Sequence, residues 1–218
     1  MTCNAPIDFS SAADWYDENA QAFATASQAL DTSVLLDRFT PGLAPGARVL
    51  DLGCGAGRDA RALLERGFAV DAVDASAEMC ACTEQLTLGR ARVRQARIED
   101  LPQGTETWDG IWMMASLLHV PRADWAAVLS RLIGAMNPGG RLYLSVKDGE
   151  GEEVDPRGRP MAHSGSRDLE DLLKAIAPEG ASVEVWRTET PASGGEVQAW
   201  INGLLSLRGG AGGGAGRP

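Results

Sequence analysis

A glycine-rich loop with an acid in front of it is the segment of this sequence best suited to chemistry. Asp51 lies in a short apolar run, and Gly53, Gly55 and Gly57 follow at every second position before Arg58. Glycine lacks a Cβ, so its backbone can turn sharply and approach a ligand closely. Because a helix is predicted to begin at Arg58, the loop would present backbone N–H groups and a helix N-terminus to that ligand. A glycine-rich turn without a ligand is the alternative.

A second acid follows where a nucleoside ribose would need one. Asp74 ends the apolar strand predicted over 68–74. A carboxylate at the end of the second strand accepts the ribose hydroxyls in dinucleotide-binding folds. The dinucleotide fingerprint GxGxxG is not met, because Arg58 occupies the position of its third glycine, and this disfavours an NAD-dependent oxidoreductase. A helix-terminal charge or a solvated strand end is the alternative role for Asp74.

Two further side chains could act on a substrate. His119 follows the strand predicted over 108–114, and an imidazole with an ordinary pKa of about 6.5 suits a general base. The same histidine could instead hold the turn 118–121 in place. Tyr16 lies in a helix predicted over 12–30, where it could cover a ligand or pack as part of an amphipathic face.

Basic residues flank an irregular segment after the predicted fifth strand, 142–146. Lys147 directly precedes the segment 148–165, and Arg159 lies within it. This segment is rich in glycine, proline and charged residues and is longer than most connections in a compact domain. Ammonium and guanidinium groups at this rim could hold an anionic substrate, or could simply be solvated charge. We expect the segment to be a substrate lid with glycine hinges.

The elements that must position these residues alternate between strand and helix. Strands are predicted over 48–52 and 91–98, helices over 58–66 and 77–88 and from Pro121 and Ser166, and a closing hairpin over 182–190 and 196–201. This order predicts an α/β fold with a doubly wound, mostly parallel seven-stranded sheet, helices on both faces and one antiparallel edge strand. The ligand should bind outside the carboxyl ends of the strands.

Length and composition fit one folded domain. The chain has 218 residues, of which 44% are hydrophobic, and its 30 acids and 20 bases give a formal charge of −10. We expect a loosely ordered N-terminus over 1–11, a domain over 12–207 and a glycine-rich disordered tail over 208–218. The acidic balance argues against a nucleic-acid partner, which needs a basic footprint.

Cysteine spacing and hydropathy give expectations about the environment of the chain. Cys3, Cys54, Cys80 and Cys82 contain no CxxC pair, so we expect neither a disulfide framework nor a metal site. The N-terminus lacks the pattern of a secretory signal and no apolar run approaches the length of a membrane span, so the expected location is the cytoplasm. The sequence leaves the oligomeric state open.

From Asp14 to about Leu207 the sequence resembles the class I S-adenosylmethionine (SAM) dependent methyltransferases. The resemblance is carried by 51–57, Asp74, the segment 98–102 and the turn 137–140. It implies a Rossmann-like methyltransferase fold, SAM as cofactor and methyl transfer to a small polar molecule, and it leaves open whether that molecule is anionic. Residues 57–59, 115–121 and 200–202 are similar to a bacterial small-molecule branch named after tellurite-resistance methyltransferases. A non-catalytic protein that binds SAM or a nucleotide is the alternative.

Motif and resemblance together give a set of candidate site residues. Cofactor contacts are expected at Tyr16, Asp51, Gly53, Cys54, Gly55, Gly57, Arg58, Asp74, Ala75, Ile98 and Glu99, and substrate contacts at His119, Lys147 and Arg159, with His119 as the catalytic candidate. Cys54 is expected to contribute its backbone and no thiol chemistry. One position departs from the family pattern, because Arg97 stands where many members carry an acid that accepts from the adenine amino group. Adenine recognition would then rest on the backbone of Ile98 and Glu99, on apolar packing, or on the Glu99 side chain.

Overall fold

The computed structural model describes residues 6–191 and 197–209 and is built on one large sheet. The strands are β1 (Arg48–Leu52), β2 (Ala69–Asp74), β3 (Arg92–Gln95), β4 (Trp108–Met114), β5 (Met136–Lys147), β6 (Glu152–Val154), β7 (Pro160–Ala162), β8 (Ser182–Pro191) and β9 (Val197–Ser206). Seven of them form the sheet in the order β3-β2-β1-β4-β5-β9-β8, and β6 and β7 form a separate antiparallel pair.

Pairing within the sheet confirms the predicted, mostly parallel arrangement. Strands β1 to β5 pair in parallel, and β9 runs antiparallel to both of its neighbours, β5 and β8. The predicted hairpin therefore closes one edge of the sheet, with the antiparallel strand second from that edge and β8 outermost.

Helices cover both faces of the sheet. They are α1 (Ser11–Glu18), α2 (Ala20–Gln28), α3 (Ser33–Phe39), α4 (Arg58–Glu65), α5 (Ala77–Thr87), α6 (Trp125–Gly134) and α7 (Ser166–Ile176). Apolar side chains of β1 alternate between the two faces, so that Leu50 and Leu52 join the core under α6 and α7, while Val49 joins the core under α3 and α4. A strand buried on both sides needs the nearly continuous apolar pattern that β1 and β4 have. No helix within 6–191 and 197–209 has the length and apolarity to cross a bilayer.

The helix predicted over 12–30 is two helices, because the chain breaks at Asn19. Its backbone is non-helical at φ −113° and ψ 15°, and its side-chain Nδ2 donates to the Trp15 carbonyl at 2.8 Å. Asparagine offers the backbone this local alternative to a helical hydrogen bond. The break turns α2 relative to α1, and both helices contact α5.

Strand β5 begins earlier than predicted and includes the segment 137–140 that the sequence suggests as a turn. Met136 pairs with Trp108, and the register shifts before Gly110 pairs with Arg141. Asn137 Nδ2 donates to Asp109 Oδ1 at 2.8 Å across this irregularity. A bulge next to β4, rather than a turn outside the sheet, therefore absorbs the two glycines.

The ends of the chain and the segment after β5 also differ in detail from expectation. Phe9 is buried in the core under α6, and the segment 148–165 contains the hairpin β6–β7 rather than only irregular chain. The expected loose N-terminus and glycine-rich tail fall in part on 1–5 and 210–218, which lie outside the described residues.

Candidate functional site

The three glycines of the loop after β1 all have backbone conformations that L-residues rarely adopt. Their φ values are +76° at Gly53, +54° at Gly55 and +81° at Gly57. A Cβ on Gly53 would lie 2.2 Å from Ser116 Cβ, and one on Gly57 would lie 2.9 Å from the Thr83 Cα. Glycine is therefore required at these positions both by the turn and by the close approach of Ser116, which follows β4, and of Thr83 in α5. The loop lies at the carboxyl edge of the sheet, as predicted.

Asp74 fastens this loop to the start of α5. Its Oδ2 accepts the Gly55 N–H at 2.8 Å and its Oδ1 accepts the Ser76 N–H at 2.9 Å. Burial raises the pKa of Asp74, and the two backbone donors act against that shift. A carboxylate has about four acceptor sites, so both oxygens retain capacity for a ligand hydroxyl.

A buried polar network, which the sequence analysis did not anticipate, lies behind the loop. Arg58 Nε and Nη2 donate to the two oxygens of Asp59, both at 2.8 Å, and Asp59 also accepts from Thr32 Oγ1 at 2.7 Å and Trp112 Nε1 at 3.0 Å. These donors, led by Arg58, lower the pKa of Asp59 against the opposing effect of burial. Arg58 therefore points into the protein as the partner of Asp59. Its position directly before an acid at a helix start was the available signal.

Asp51 lies beside this network and lacks a complete set of partners. It is 2% exposed, and its Oδ2 has no hydrogen-bond partner among the described residues. Burial first, and the Asp59 carboxylate second, raise its pKa well above the usual range. An unpaired buried oxygen of this kind suits a positively charged or hydrogen-bonding group that arrives at the loop.

His119, Tyr16 and Arg159 form a hydrogen-bonded chain. The Pro160 carbonyl, 2.9 Å from His119 Nδ1, can only accept, so Nδ1 carries the proton and Nε2 is an acceptor. Tyr16 O–H then donates to Nε2 at 3.0 Å, and Arg159 Nη1 donates to the Tyr16 oxygen at 3.2 Å. Burial lowers the pKa of His119 to about 4, which keeps this imidazole neutral at pH 7.

Arg159 is held inside the site by an acid that the sequence analysis missed. Asp155 Oδ2 accepts from Arg159 Nε at 3.1 Å and Nη2 at 2.7 Å, and the guanidinium carbon lies 4.9 Å from the centre of the Trp15 ring. The expected open-rim cation is thus an internal contact between the β6–β7 hairpin and α1.

Of the two predicted substrate-binding bases, Lys147 and Arg159, only Lys147 has a side chain without a partner in the described part of the chain. The residue ends β5 and is half-buried. Its side chain has no hydrogen bond or ion pair within 6–191 and 197–209. Burial, followed by the charge of Arg159, lowers its pKa.

The adenine-side residues line a small cavity that also reaches His119. Ala75, Arg97, Ile98 and Glu99 surround a space of about 50 Å³, closed on its other side by Phe9 and α1. Arg97 Nη2 lies 3.3 Å from Glu99 Oε1. The arginine therefore already pairs with the carboxylate that could accept a hydrogen bond from an adenine amino group. A larger groove of about 240 Å³ between α5 and β3 is lined by none of the predicted site residues.

Helices α1 and α2 cover the glycine loop and the N-terminus of α5. Phe23 Cε1 lies 3.4 Å from where a Cβ on Gly55 would be, and Tyr16 and Phe23 pack against Ala56 of the loop and Met79 of α5. Asp17 Oδ1 accepts from Ser76 Oγ at 2.5 Å and the Glu78 N–H at 3.1 Å, which fixes α1 to the N-terminus of α5. Small-molecule sites usually measure about 300 Å³ or more, so a nucleoside needs α1 and α2 to move.

Residues 49–140 match the family model described as a methyltransferase domain. Among curated proteins, the chain is 32% identical over 112 residues to the methyltransferase GfsG of Streptomyces halstedii, a match that covers 46% of this chain and 37% of that protein. It is 39% identical over 105 residues to the ubiquinone biosynthesis O-methyltransferase of Xylella fastidiosa strain 9a5c, covering 46% of this chain and 42% of that protein. The chain thus spans less than half the length of these relatives.

Solved structures share the fold over nearly the whole chain. The 1,6-didemethyltoxoflavin-N1-methyltransferase of Burkholderia thailandensis, solved with S-adenosylhomocysteine and 1,6-didemethyltoxoflavin, superposes with a TM-score of 0.64 at 23% identity. The match covers 94% of this chain and 93% of that one. The predicted Rossmann-like methyltransferase fold is therefore confirmed.

Proposed function

We propose that this chain is a SAM-dependent methyltransferase that acts on a small polar molecule. The observation that carries the proposal is the Gly53–Gly57 loop at the carboxyl edge of a sheet with the methyltransferase fold. The methyltransferase-domain match over 49–140 supports it, because that match contains the loop, Asp74 and His119. The acidic net charge supports a small-molecule acceptor over nucleic acid, and the free thiols of Cys54, Cys80 and Cys82 support a reducing, cytoplasmic setting.

The residues around the loop fit the proposed cofactor. The buried, unpartnered Asp51 Oδ2 suits a cationic group, the glycine loop leaves its backbone free of side chains, and Asp74 retains acceptor sites for ribose hydroxyls. Ala75, Ile98 and Glu99 would lie on the adenine side, where Glu99 is the acceptor candidate beside Arg97. When bound, SAM would supply an electrophilic methyl group for in-line transfer to an acceptor nucleophile, with S-adenosylhomocysteine as the leaving group.

The protein's contribution to such a transfer is mainly to position the nucleophile and to manage its proton. Burial lowers the pKa of His119 to about 4 and raises the pKa of Tyr16, so the proton between them lies on the Tyr16 oxygen and His119 Nε2 accepts the hydrogen bond. Arg159 stabilises negative charge on the Tyr16 oxygen through its donated hydrogen bond. On this view Tyr16 faces the acceptor and His119 acts through it, with Pro160 fixing the imidazole tautomer.

An anionic group on the acceptor would find its partner in Lys147. This side chain ends β5 beside the carboxyl end of β4, and no acid neutralises it within the described ranges. Lys147→Met should raise the acceptor KM about tenfold or more while leaving kcat within about twofold, because a lost charged hydrogen bond costs roughly 1.5–3 kcal/mol. Steady-state kinetics check this, with exposed Lys174→Met as the control; equal KM values in the two variants would contradict it.

Two measurements test the proposed function. A calorimetric titration with S-adenosylhomocysteine should show one saturable site, and radiolabelled methyl SAM incubated with the protein and a bacterial metabolite extract should transfer label to a small molecule. Binding without transfer would favour the alternative, a non-catalytic SAM- or nucleotide-binding protein. No binding would overturn the proposal.

A further inference from the structure

Three carboxylates and one guanidinium surround the glycine loop, and only two of the three acids are satisfied. Asp59 accepts four hydrogen bonds, two of them from Arg58. Asp74 accepts two backbone N–H groups, from Gly55 and Ser76. Asp51 has an oxygen with no partner in the described part of the chain.

Asp51 lies within the sheet, where a small movement of its side chain does not bring Oδ2 to a hydrogen-bond donor. It lies in β1 between Ala72 of β2 and Trp112 of β4, and it is 2% exposed. The charged and titratable groups that face it are Asp59 and Arg58 from α4, Asp74 from β2 and the Cys54 thiol from the loop. Arg58 is the one cation in this described set, and Asp59 already holds it in two hydrogen bonds.

Asp51 accepts a backbone hydrogen bond from Ala60, but a buried carboxylate with one unpaired oxygen is still costly, and beside two other acids it is more so. The neutral acid has the lower free energy in this environment, because its proton removes the charge. Burial and the Asp59 carboxylate accordingly raise the pKa of Asp51 well above its ordinary value.

The proposed cofactor carries the charge that this cluster lacks. SAM has an ammonium, a sulfonium and a carboxylate, and S-adenosylhomocysteine keeps the ammonium and the carboxylate. A cation bound at the glycine loop would be the missing partner of Asp51 and would favour its carboxylate form.

We propose that Asp51 carries a proton in the free protein and loses it to solvent when the cofactor binds, so that cofactor binding at neutral pH expels a proton. The inference rests on the proposed function and deepens it, since it makes cofactor affinity depend on pH. The proton leaves as the ammonium arrives, so the carboxylate charge that appears on Asp51 is balanced by the cation beside it. Affinity should rise with pH, by at most tenfold per pH unit, for as long as free Asp51 is protonated.

Calorimetry measures the released proton directly. The full-length protein is titrated with S-adenosylhomocysteine at pH 7 in phosphate and in Tris, whose ionisation enthalpies differ. The slope of binding enthalpy against ionisation enthalpy gives the number of protons released. We expect a substantial fraction of one proton for the wild type and close to none for Asp51→Asn, which still binds.

A matched variant makes the assignment specific. Asp71 is a buried acid on β2 whose Oδ2 accepts from Trp108 Nε1 at 2.8 Å and pairs with Arg48, so Asp71→Asn should keep the wild-type release.

The outcomes separate failure of the inference from failure of the proposed function. Binding heats that are the same in both buffers, release retained in Asp51→Asn, or release lost in Asp71→Asn, would overturn the inference while leaving cofactor binding intact. Absence of any binding would overturn the proposed function and the inference with it. If Asp51→Asn does not fold, the wild-type affinity between pH 6 and 8 decides: a pH-independent Kd overturns the inference, and a Kd that falls as pH rises supports it.

Discussion

At Gly53 the fold leaves no room for a side chain. Its φ of +76° costs an L-residue about 1–2 kcal/mol, and an added Cβ would overlap Ser116 Cβ at 2.2 Å. Gly53→Ala should therefore lower the free energy of unfolding by clearly more than the backbone term alone, about 3 kcal/mol in total. Urea denaturation monitored by circular dichroism measures this.

Gly42 provides the matched control for that prediction. Its φ is +90° and nothing lies within 4 Å of an added Cβ. Gly42→Ala should show the backbone cost without the overlap. Equal destabilisation by the two substitutions would mean that Ser116 moves away from the loop without cost.

His119 should make the stability of the protein sensitive to acid. Its pKa is about 4 in the folded protein and about 6.5 when unfolded, so between these values the unfolded chain binds more protons. The free energy of unfolding should fall as pH drops through that window, by as much as about 1.4 kcal/mol per pH unit from this group. His119→Asn should lack this contribution.

The comparison between wild type and His119→Asn isolates the histidine, because every other titrating group is common to both. Unfolding free energies at pH 7, 6, 5 and 4.5 are the measurement. Parallel pH curves for the two proteins would contradict the prediction, because they would mean that the pKa of His119 is the same in the folded and the unfolded protein.

Individual residue types in the site could be predicted from the sequence, but several of their partners could not. The glycine loop and Asp74 follow from local spacing, and His119 from its place after β4. The bond between Tyr16 and His119 joins positions 103 residues apart, and no pattern in one sequence fixes such a pair. Asp155 was not among the predicted site residues, although it is 6% exposed and holds Arg159.

At the scale of elements, the β6–β7 hairpin depends on Asp155. This carboxylate accepts the backbone N–H groups of Arg157 and Arg159 as well as the Arg159 guanidinium, and the guanidinium in turn reaches α1. Asp155→Ala should cost roughly 3 kcal/mol, because it leaves a mostly buried arginine without its anion. It should also speed hydrogen exchange in Glu152–Ala162.

Asp148→Ala is the control, since Asp148 pairs with Arg187 at the surface at 2.8 Å. A half-exposed pair of this kind contributes between about 0 and 1 kcal/mol. If both variants lose the same stability, Asp155 does not organise the hairpin.

Elements with strong local patterns were predicted closely. Strand β4 was expected over 108–114 and has those bounds, because a continuous apolar run between turn residues has few alternatives. The boundary of β5 was missed, since its start depends on pairing with Trp108 rather than on its own Asn-Pro-Gly-Gly sequence. The break at Asn19 was missed because the apolar spacing continues across it.

For the molecule as a whole, access to the loop depends on how firmly α1 is fixed to α5. Asp17 supplies that connection through Ser76 Oγ and the Glu78 N–H. Asp17→Ala should cost about 1 kcal/mol, the usual cost of losing a helix N-terminal acceptor. Amide hydrogen exchange across Ser11–Gln28 should become faster in the ligand-free protein.

Asp14 lies in the same helix with its side chain exposed, so Asp14→Ala is the matched control and should leave exchange unchanged. Unaltered exchange in Asp17→Ala would show that packing of Tyr16 and Phe23, rather than the cap, keeps α1 in place. In that case opening would require loss of the aromatic contacts themselves.

The place of Trp15 in this covering helix has an optical consequence. Trp108, Trp112 and Trp125 are fully enclosed in the two cores, whereas Trp15 lies half-buried between Tyr16 and the Arg159 guanidinium. Separation of α1 from the hairpin would remove a cation from the indole and admit water to it, while the three enclosed indoles keep their surroundings. The other two indoles, Trp186 in β8 and Trp200 in β9, lie outside the contact between α1 and the hairpin. A shift in the emission wavelength of the unmodified protein should therefore follow the opening of its own site, with no attached dye.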